Sequence, residues 1–293
     1  MPAAAAAGFF FCRVYNSIMT SPQYEQRLAQ WHLERENSLR RENGWLALAG
    51  LFWLEQGENT LGSAPHNQVL LPPRLPASVG SIQLRDKETH LKVEPGIQLM
   101  LNGEPVSEAL LISDIGIKPG FMTLDGVRMV VIDRSVGLGI RLWDNLRPER
   151  REYPPRRWFP TNELLVFPAH YERYAEPRKV LLPDVFGDLV ETSMQGRVIF
   201  EQSGQTHTLE AAESENGHLE IHFQDLTNRK NTYPSGRYYY SPDPVEDGKL
   251  TLDFNYSYSP PCAFTPFATC AFAPAENHLP FSVEAGEIYP AHA

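Results

Sequence analysis

The stretch from Asp225 to Cys270 decides how this chain folds, and it reads DLTNRKNTYPSGRYYYSPDPVEDGKLTLDFNYSYSPPCAFTPFATC. Within it, Lys249 to Tyr258 alternates apolar and polar residues, as a strand with one buried face does. Gly236 to Tyr240 is also strand-like, and the connection between the two segments contains Asp247-Gly248, a strong hairpin signal. The pattern predicts two β-strands joined by a long hairpin loop.

Pairing of these two strands would create one polar site. Tyr238 and Tyr240 are expected on the buried face. Strand parity then places Arg237 on the same face as Asp253 and Asn255, and one such register sets Arg237 opposite Asp253. Such a trio could hold a polar ligand, or it could be a surface salt bridge that contributes about 0–1 kcal/mol. Both interpretations stay open.

Three further residues complete the candidate ligand-binding set. Asp225 and Thr227 can organise a turn by bonding nearby backbone amides, and that structural role is the default for them. Arg141 is a possible wall of the site, because a guanidinium matches carboxylate and phosphate groups. The whole set consists of Arg237, Asp253, Asn255, Arg141, Asp225 and Thr227.

Composition predicts a soluble globular protein built from short elements. Of 293 residues, 42% are hydrophobic and 21% charged, which suits a chain with a buried core. The 25 prolines exceed the 20 glycines, which favours short strands and turns over long helices. The net charge of −10 repels phosphate backbones, so we do not expect a nucleic acid partner.

The first residues, MPAAAAAGFFFC, are apolar but lack a Lys or Arg before the apolar run. A signal peptide needs such a basic region, and a membrane span needs about 20 apolar residues. We therefore predict a disordered leader over residues 1–19, no membrane span and a cytoplasmic location. Export remains possible.

The rest of the N-terminal half predicts one helix followed by β-structure. Ser21-Pro22 can start an amphipathic helix that continues to about Leu39. Gly44 to Leu54 is apolar but too short to span a bilayer, so it is expected to be a buried core segment. From Asn59 to Asp133, apolar runs alternate with turn signals such as Asn102-Gly103 and Asp125-Gly126. This spacing predicts a β-sandwich or barrel.

The predicted fold is thus mostly β, sandwich- or barrel-like, with an N-terminal amphipathic helix. Four sections are expected: the leader (1–19), the helix and core segment (20–54), a β-sandwich section (55–138) and a C-terminal β-rich section (139–293). The segments Asn59 to Ser63 and Leu101 to Gly103 make the sandwich section faintly similar to a forkhead-associated domain. Ser63 stands where that family has an Arg, and Ser78 to Ser81 lacks its His, so the resemblance implies architecture alone.

Histidines and cysteines give no recognised metal or redox pattern. His218 and His222 share a strand face, but no acidic or cysteine ligand stands beside them at a known spacing, so we interpret them as surface residues. Cys262 and Cys270 are too far apart for a Cys-x-x-Cys motif. They could form a disulfide, bind a metal with His278, or remain buried thiols, which we favour. No metal or cofactor is expected.

Several short motifs resemble a bacterial family of unknown function, domain-of-unknown-function family 1684 (DUF1684). The resemblance covers roughly Tyr24 to Glu287, with departures at Ser259 and His278, where the family usually has Asn and Arg. The resemblance includes Gly236-Arg237-Tyr238 and is densest in Asp253-Phe254-Asn255, Pro260-Pro261-Cys262-Ala263-Phe264-Thr265, Ala268-Thr269-Cys270 and Glu284-Ala285-Gly286-Glu287. The family has no assigned activity, so the resemblance implies no mechanism.

Two function classes follow. The first is a binding module for a small polar or anionic ligand, with Arg237, Asp253 and Asn255 as its floor. The alternative is a hydrolase-like enzyme in which Asp253 or Asp225 acts as general base and Arg237 stabilises negative charge. The chain lacks Gly-x-Gly-x-x-Gly, Walker and Gly-x-Ser-x-Gly motifs, which disfavours nucleotide-binding enzymes and α/β-hydrolases.

Overall fold

The computed structural model describes residues 21–289, and the predicted leader at 1–19 lies outside them. The fold is mostly β with one long N-terminal helix, which confirms the predicted fold class. The described chain forms two compact units. Unit 1 contains residues 21–37, 155–263 and 270–289, and unit 2 contains Ser38–Pro154 and Phe264–Thr269. The predicted sections, in contrast, were consecutive in sequence.

Helix α1 (Pro22–Arg40) begins where the sequence predicts. Ser21 Oγ accepts a hydrogen bond from the Tyr24 backbone N–H at 3.2 Å, which satisfies one of the free donors of the first turn. Tyr24 and Leu28 of α1 are buried in the core of unit 1. No helix within residues 21–289 is long and apolar enough to cross a membrane.

Unit 2 contains eleven strands and a short helix, α2 (Glu149–Glu152). The strands are β1 (Leu48–Trp53), β2 (Gly57–Gly62), β3 (Val69–Leu70), β4 (Gly80–Arg85), β5 (Glu88–Val93), β6 (Met100–Leu101), β7 (Glu104–Pro105), β8 (Glu108–Leu111), β9 (Met122–Leu124), β10 (Val127–Arg134) and β11 (Gly137–Asp144). They form two sheets, in the orders β1-β11-β10-β9-β6-β7 and β3-β2-β4-β5-β8.

The two sheets of unit 2 share one hydrophobic core, so this unit is a β-sandwich. Leu61 and Ile82 contribute from the five-stranded sheet, and Val131 and Ile140 from the six-stranded one. Both residues of the Asp125-Gly126 turn have positive φ (42° and 77°), as a two-residue type I′ hairpin requires. The predicted core segment supplies β1, which pairs with β11 and therefore belongs to the sandwich.

Unit 1 contains nine strands: β12 (Arg157–Trp158), β13 (Val166–Pro183), β14 (Leu189–Gln202), β15 (Gln205–Glu213), β16 (Leu219–Phe223), β17 (Arg237–Tyr240), β18 (Lys249–Asp253), β19 (Ser257–Tyr258) and β20 (Glu287–Ile288). Strands β12 and β20 form a small pair. The other seven form a sheet in the order β18-β13-β14-β15-β16-β17-β19.

The two edges of this seven-stranded sheet are almost consecutive in sequence. Strands β18 and β19 are separated by Phe254–Tyr256 alone, and three residues span at most about 10 Å. The sheet must therefore curl until its edges lie close together, which gives a barrel-like wall. Its interior holds the core of unit 1, including Leu209, Ile221, Phe223, Tyr239 and Leu252.

The predicted hairpin between β17 and β18 is wrong. Strand β17 pairs with β16 and β19, and β18 pairs with β13. The alternating run breaks at Asp253, because its carboxylate accepts from Asn255 N at 3.0 Å and caps a 3₁₀ turn. The predicted faces are also reversed: Arg237 and Tyr239 are buried, whereas Tyr238 is half-buried on the other side of the strand.

Candidate functional site

Arg237 lies in a fully buried group of polar atoms, the Arg237 cluster, formed with Asp225 and the carbonyls of Val283 and Ala285. Its Nη2 donates to Asp225 Oδ2 (2.8 Å) and to the Val283 carbonyl (2.7 Å), and its Nη1 donates to the Ala285 carbonyl. Both charged side chains are 0% exposed. Burial lowers the pKa of Arg237, and the Asp225 carboxylate opposes that shift. The predicted partner, Asp253, is thus replaced by Asp225.

Asp225 also fixes the turn that follows β16. Its Oδ1 accepts from the backbone N–H groups of Thr227 (2.7 Å) and Val283 (3.1 Å). The hydroxyls of Thr227 and Thr232 are 2.8 Å apart, and both residues are buried. The predicted turn-organising role is therefore confirmed for the Asp225 side chain, whereas the Thr227 hydroxyl contacts another side chain and not a backbone amide.

Asp253 and Asn255 lie elsewhere in unit 1, at the turn between β18 and β19. Asp253 Oδ2 accepts from the Tyr24 hydroxyl at 2.7 Å, and Oδ1 accepts from Asn255 Nδ2 at 2.8 Å. Asn255 Oδ1 accepts from Asn162 N at 2.9 Å. Burial raises the pKa of Asp253, while the hydrogen bonds from Tyr24 and Asn255 oppose the shift. These contacts anchor the turn to α1 and to the segment before β13.

Arg141 belongs to unit 2. It lies on β11, where its Nη2 donates to Thr269 Oγ1 at 3.2 Å. The six predicted residues are therefore distributed over two units and, within unit 1, over two separate clusters. A contact between any of them and a ligand stays a prediction.

A gap between β15 and β16 opens on the outer side of the barrel-like wall. The strands pair at Ala212 and Glu220, and two residues further along the same register Glu210 would face His222. The side chain of Asn277 stands there instead. Its Oδ1 accepts from Glu210 N (2.6 Å), and its Nδ2 donates to the carbonyls of Glu210 (2.9 Å) and His222 (2.8 Å). The Asn277 side-chain amide thus satisfies backbone hydrogen-bonding groups of both strands where the strands separate.

A cavity of about 180 Å³ lies at this gap. Leu209 and Ile221 point into the barrel core, so their strand neighbours Glu210 and His222 point outward, towards the cavity. Its lining, which is mostly apolar, includes Met194, Glu210, Ala212, His222, Tyr238 and Phe272. We call it the Glu210–His222 cavity.

One residue of the cavity wall, Glu210, keeps a buried carboxylate oxygen, Oε2, without a hydrogen-bond partner. The other carboxylate oxygen of Glu210 accepts from the Tyr174 hydroxyl at 2.7 Å and lies 3.3 Å from Arg178 Nη1. Burial lowers the pKa of His222 to about 4, so its imidazole is neutral at pH 7. A buried polar atom without a partner costs about 1–3 kcal/mol, which a suitable bound group would offset.

A wider hollow of about 710 Å³ lies beside the loop between β17 and β18. Its charged residues, which include Asp243, Glu246, Asp247 and Lys249, are exposed. Exposed charges are satisfied by water, so this hollow leaves no polar group in need of a partner. The smaller cavity is therefore the better candidate site.

Sequence reasoning missed Glu210 and interpreted His222 as a surface histidine. The strand period does place both on an outward face. What it does not reveal is the segment containing Ala271, Phe272 and Pro274, which covers that face and turns it into a cavity. That segment has no regular period, so its position could not be derived.

Cys262 and Cys270 are both free thiols, as predicted, with Cys270 buried and Cys262 half-buried. His278, the third residue considered for a metal site, is exposed. Among residues 21–289, no group of three or more His, Cys, Asp or Glu side chains could hold a metal ion.

Residues 151–288 match the model of a family described as a protein of unknown function, DUF1684. This region belongs to the DUF1684 family. The match confirms the family that the motifs predicted, over a shorter stretch than Tyr24 to Glu287. The matched region contains Asp225 and Arg237 of the Arg237 cluster, Glu210 and His222 of the cavity wall, and Cys262 and Cys270. The DUF1684 region therefore includes the candidate site.

The solved structures that are similar to this chain include the following two. One is an uncharacterized protein from Haloarcula marismortui, determined by NMR in solution, with 29% identity, coverage of 48% of this chain and 80% of that protein, and a TM-score of 0.40. The other is from a study of phosphothreonine-dependent FHA domain interactions, with 16% identity, coverage of 33% and 95%, and a TM-score of 0.23. No curated protein matches the chain. At these TM-scores, neither structure assigns a ligand to this chain.

Proposed function

We propose that this protein binds a small molecule with a compact apolar body and one protonated amine or hydroxyl group, in the Glu210–His222 cavity. One observation carries the proposal: Glu210 Oε2 is buried without a partner in a residue that lines an apolar cavity. Small-molecule sites commonly combine apolar walls with a few polar groups that orient the ligand.

The size of the cavity limits the ligand. Its volume of about 180 Å³ is slightly larger than the roughly 150 Å³ of an engineered protein cavity that binds benzene. Drug-sized ligands occupy about 300–1,000 Å³. The proposed ligand is therefore one ring, or a short branched chain, with a single polar substituent.

The charge of the lining sets the chemistry of that substituent. The ionisable side chains of the lining are Glu210, Glu220, His222 and three tyrosines, Tyr238, Tyr239 and Tyr258, with no lysine or arginine. Carboxylates attract a protonated amine and repel an anion. The polar ligand predicted from sequence is therefore kept in the proposal, and the anionic ligand is not.

The residues predicted from sequence have an indirect part in this proposal. Arg237 precedes Tyr238 on β17, and Tyr238 lines the cavity. The Arg237 cluster fixes that strand from its inner side, so we assign Arg237 and Asp225 as positioning residues. The hydrolase-like alternative stays a prediction. Its candidate bases, Asp225 and Asp253, already accept hydrogen bonds from protein donors.

Protein-observed NMR with benzylamine as the probe tests the proposal. Benzylamine is expected to shift the amide signals of Ala212, His222 and Tyr238, while benzoate leaves them in place. The substitution Ala212→Phe fills the cavity and should abolish the shifts. A matched substitution in the open hollow, Lys249→Phe, should preserve them.

The opposite pattern would contradict the proposal. Shifts that map to the hollow and disappear in Lys249→Phe would place binding there. Equal shifts with benzoate would remove the role of the carboxylate. An absence of shifts at millimolar benzylamine would show that the cavity does not bind this class of molecule.

A further inference from the structure

Cys262 and Cys270 form a pair of thiols in unit 1. Cys262 lies in a 3₁₀ turn, Pro261–Ala263, and Cys270 lies next to the bridge between Asp184 and Ala271. The Cys270 carbonyl accepts from Val185 N at 3.0 Å. Hydrogen bonds therefore hold the backbone at both positions.

The two thiols interact electrostatically with each other and differ in accessibility. Cys262 is half-buried, and a hydrogen bond from the neighbouring Cys270 thiol lowers the pKa of Cys262. Cys270 is 6% exposed, and the same contact together with burial raises its pKa far above the ordinary value. One sulfur is thus reachable and more acidic, and the other is shielded and protonated.

Tyrosine hydroxyls lie beside both sulfurs. The Tyr233 hydroxyl donates to the Cys262 carbonyl at 3.0 Å and also interacts with its side chain, which further lowers the pKa of Cys262. Tyr238 interacts with the Cys270 side chain. The ring of Tyr289 packs against Tyr233 at a centroid distance of 4.9 Å and holds it in place. Hydroxyl donors near a sulfur stabilise its thiolate, the reactive form.

We propose that Cys262 and Cys270 are a reversible dithiol–disulfide pair that reduces hydrogen peroxide or an organic hydroperoxide. The Cys262 thiolate attacks one peroxide oxygen, the O–O bond breaks, and the leaving hydroxide or alkoxide takes up a proton. Cys262 is then a sulfenic acid. The Cys270 sulfur loses its proton and attacks the Cys262 sulfur, forming the S–S bond and releasing water. Two thiols are oxidised, and the peroxide is reduced to two waters, or to water and an alcohol.

Thiol counting and peptide mapping test this reaction. Cys12 lies outside the described residues, so the full chain carries Cys12→Ser to leave the pair alone. Treatment with one equivalent of hydrogen peroxide should remove both free thiols without forming dimers. Peptide mapping should find a bond between positions 262 and 270, and dithiothreitol should restore both thiols. Two free thiols after treatment would overturn the proposal.

Single-cysteine variants test the assigned order. With Cys270→Ser, Cys262 should accumulate as a sulfenic acid that dimedone traps. With Cys262→Ser, Cys270 should stay unmodified under the same exposure. A dimedone adduct at Cys270 and none at Cys262 would overturn the assigned roles. Substitution Tyr233→Phe removes a stabilising hydroxyl and should slow oxidation several-fold, whereas Tyr240→Phe should leave the rate unchanged. Equal rates in these two variants would contradict the role of Tyr233.

Discussion

The Arg237 cluster and the Glu210–His222 cavity lie on opposite faces of strand β17 and differ in what adjoins their buried charge. In the cluster, a carboxylate and two carbonyls accept from the two terminal nitrogens of Arg237, backbone N–H groups satisfy Asp225, and Arg237 Nε lacks a partner. In the cavity wall, Glu210 Oε2 lacks a partner in a side chain that lines an open volume. Buried charge alone therefore does not mark a ligand site. Unused hydrogen-bonding capacity beside an open volume does.

The largest loss in the free energy of unfolding is expected for a substitution at Asp225. Substitution Asp225→Asn preserves the shape but leaves the Arg237 charge buried without a counter-charge, which typically costs about 3–5 kcal/mol. Urea denaturation should show this loss in the free energy of unfolding. The matched control is Glu191→Gln, which breaks an exposed pair with Lys179 and should cost about 0–1 kcal/mol. If the two variants cost the same, the cluster is not the structural element described here.

The amide at the gap between β15 and β16 should have the next largest effect. Substitution Asn277→Ala leaves Glu210 N, Glu210 O and His222 O without their partner, and each buried polar group of this kind costs about 1–3 kcal/mol. We expect a loss of at least about 2 kcal/mol in the free energy of unfolding. The exposed Asn231→Ala is the control and should be close to neutral. A neutral Asn277→Ala would show that the gap closes by itself.

The pH dependence of stability tests the burial of His222. Its pKa falls from an ordinary 6.5 in the unfolded chain to about 4 in the folded one. Between these values the unfolded state binds more protons, so stability is full above pH 6.5 and decreases as the pH falls towards 4. The loss should be about 1–3 kcal/mol. Free energies of unfolding measured across this range should fall less steeply for His222→Gln. Parallel profiles would show that His222 does not carry this loss.

The smallest stability effect is expected for Glu210→Gln. This is the same chemical change as Asp225→Asn, from carboxylate to amide, at another buried position. The Glu210 carboxylate has only one hydrogen-bond donor, the half-buried Tyr174, and its Arg178 neighbour is exposed, so the free energy of unfolding should change by less than about 1 kcal/mol. A loss as large as that of Asp225→Asn would remove the distinction between the two regions.

Local signals in the sequence predicted much of the fold. The Ser21 cap, the Asp125-Gly126 turn and the turn organised by Asp225 depend on residues close together in the chain, and the structure confirms all three. The predicted partner of Arg237, Asp253, was wrong because strand parity identifies residues on a shared face only when it is known which strands pair. Asp253 ends that strand by capping a turn, and an alternating pattern does not show such a break.

The candidate site itself depends on contacts between distant segments. Asn277 bridges two strands more than fifty residues upstream, at Glu210 and His222. The covering residues Ala271 and Phe272 come from the same irregular segment. No period or motif places such a segment on a particular face, so the cavity could be found only in three dimensions.

The most direct test of the central claim is the affinity of benzylamine relative to toluene, measured by calorimetry in the natural chain and in Glu210→Gln. The two probes share a ring and differ in the amine. If the free oxygen of Glu210 recognises the donor, the natural chain should bind benzylamine roughly 10–100-fold more tightly than toluene, since a hydrogen bond to a charged group contributes about 1.5–3 kcal/mol. The variant should lose most of that preference. An equal preference in both proteins, or none in the natural chain, would contradict recognition of the amine by Glu210.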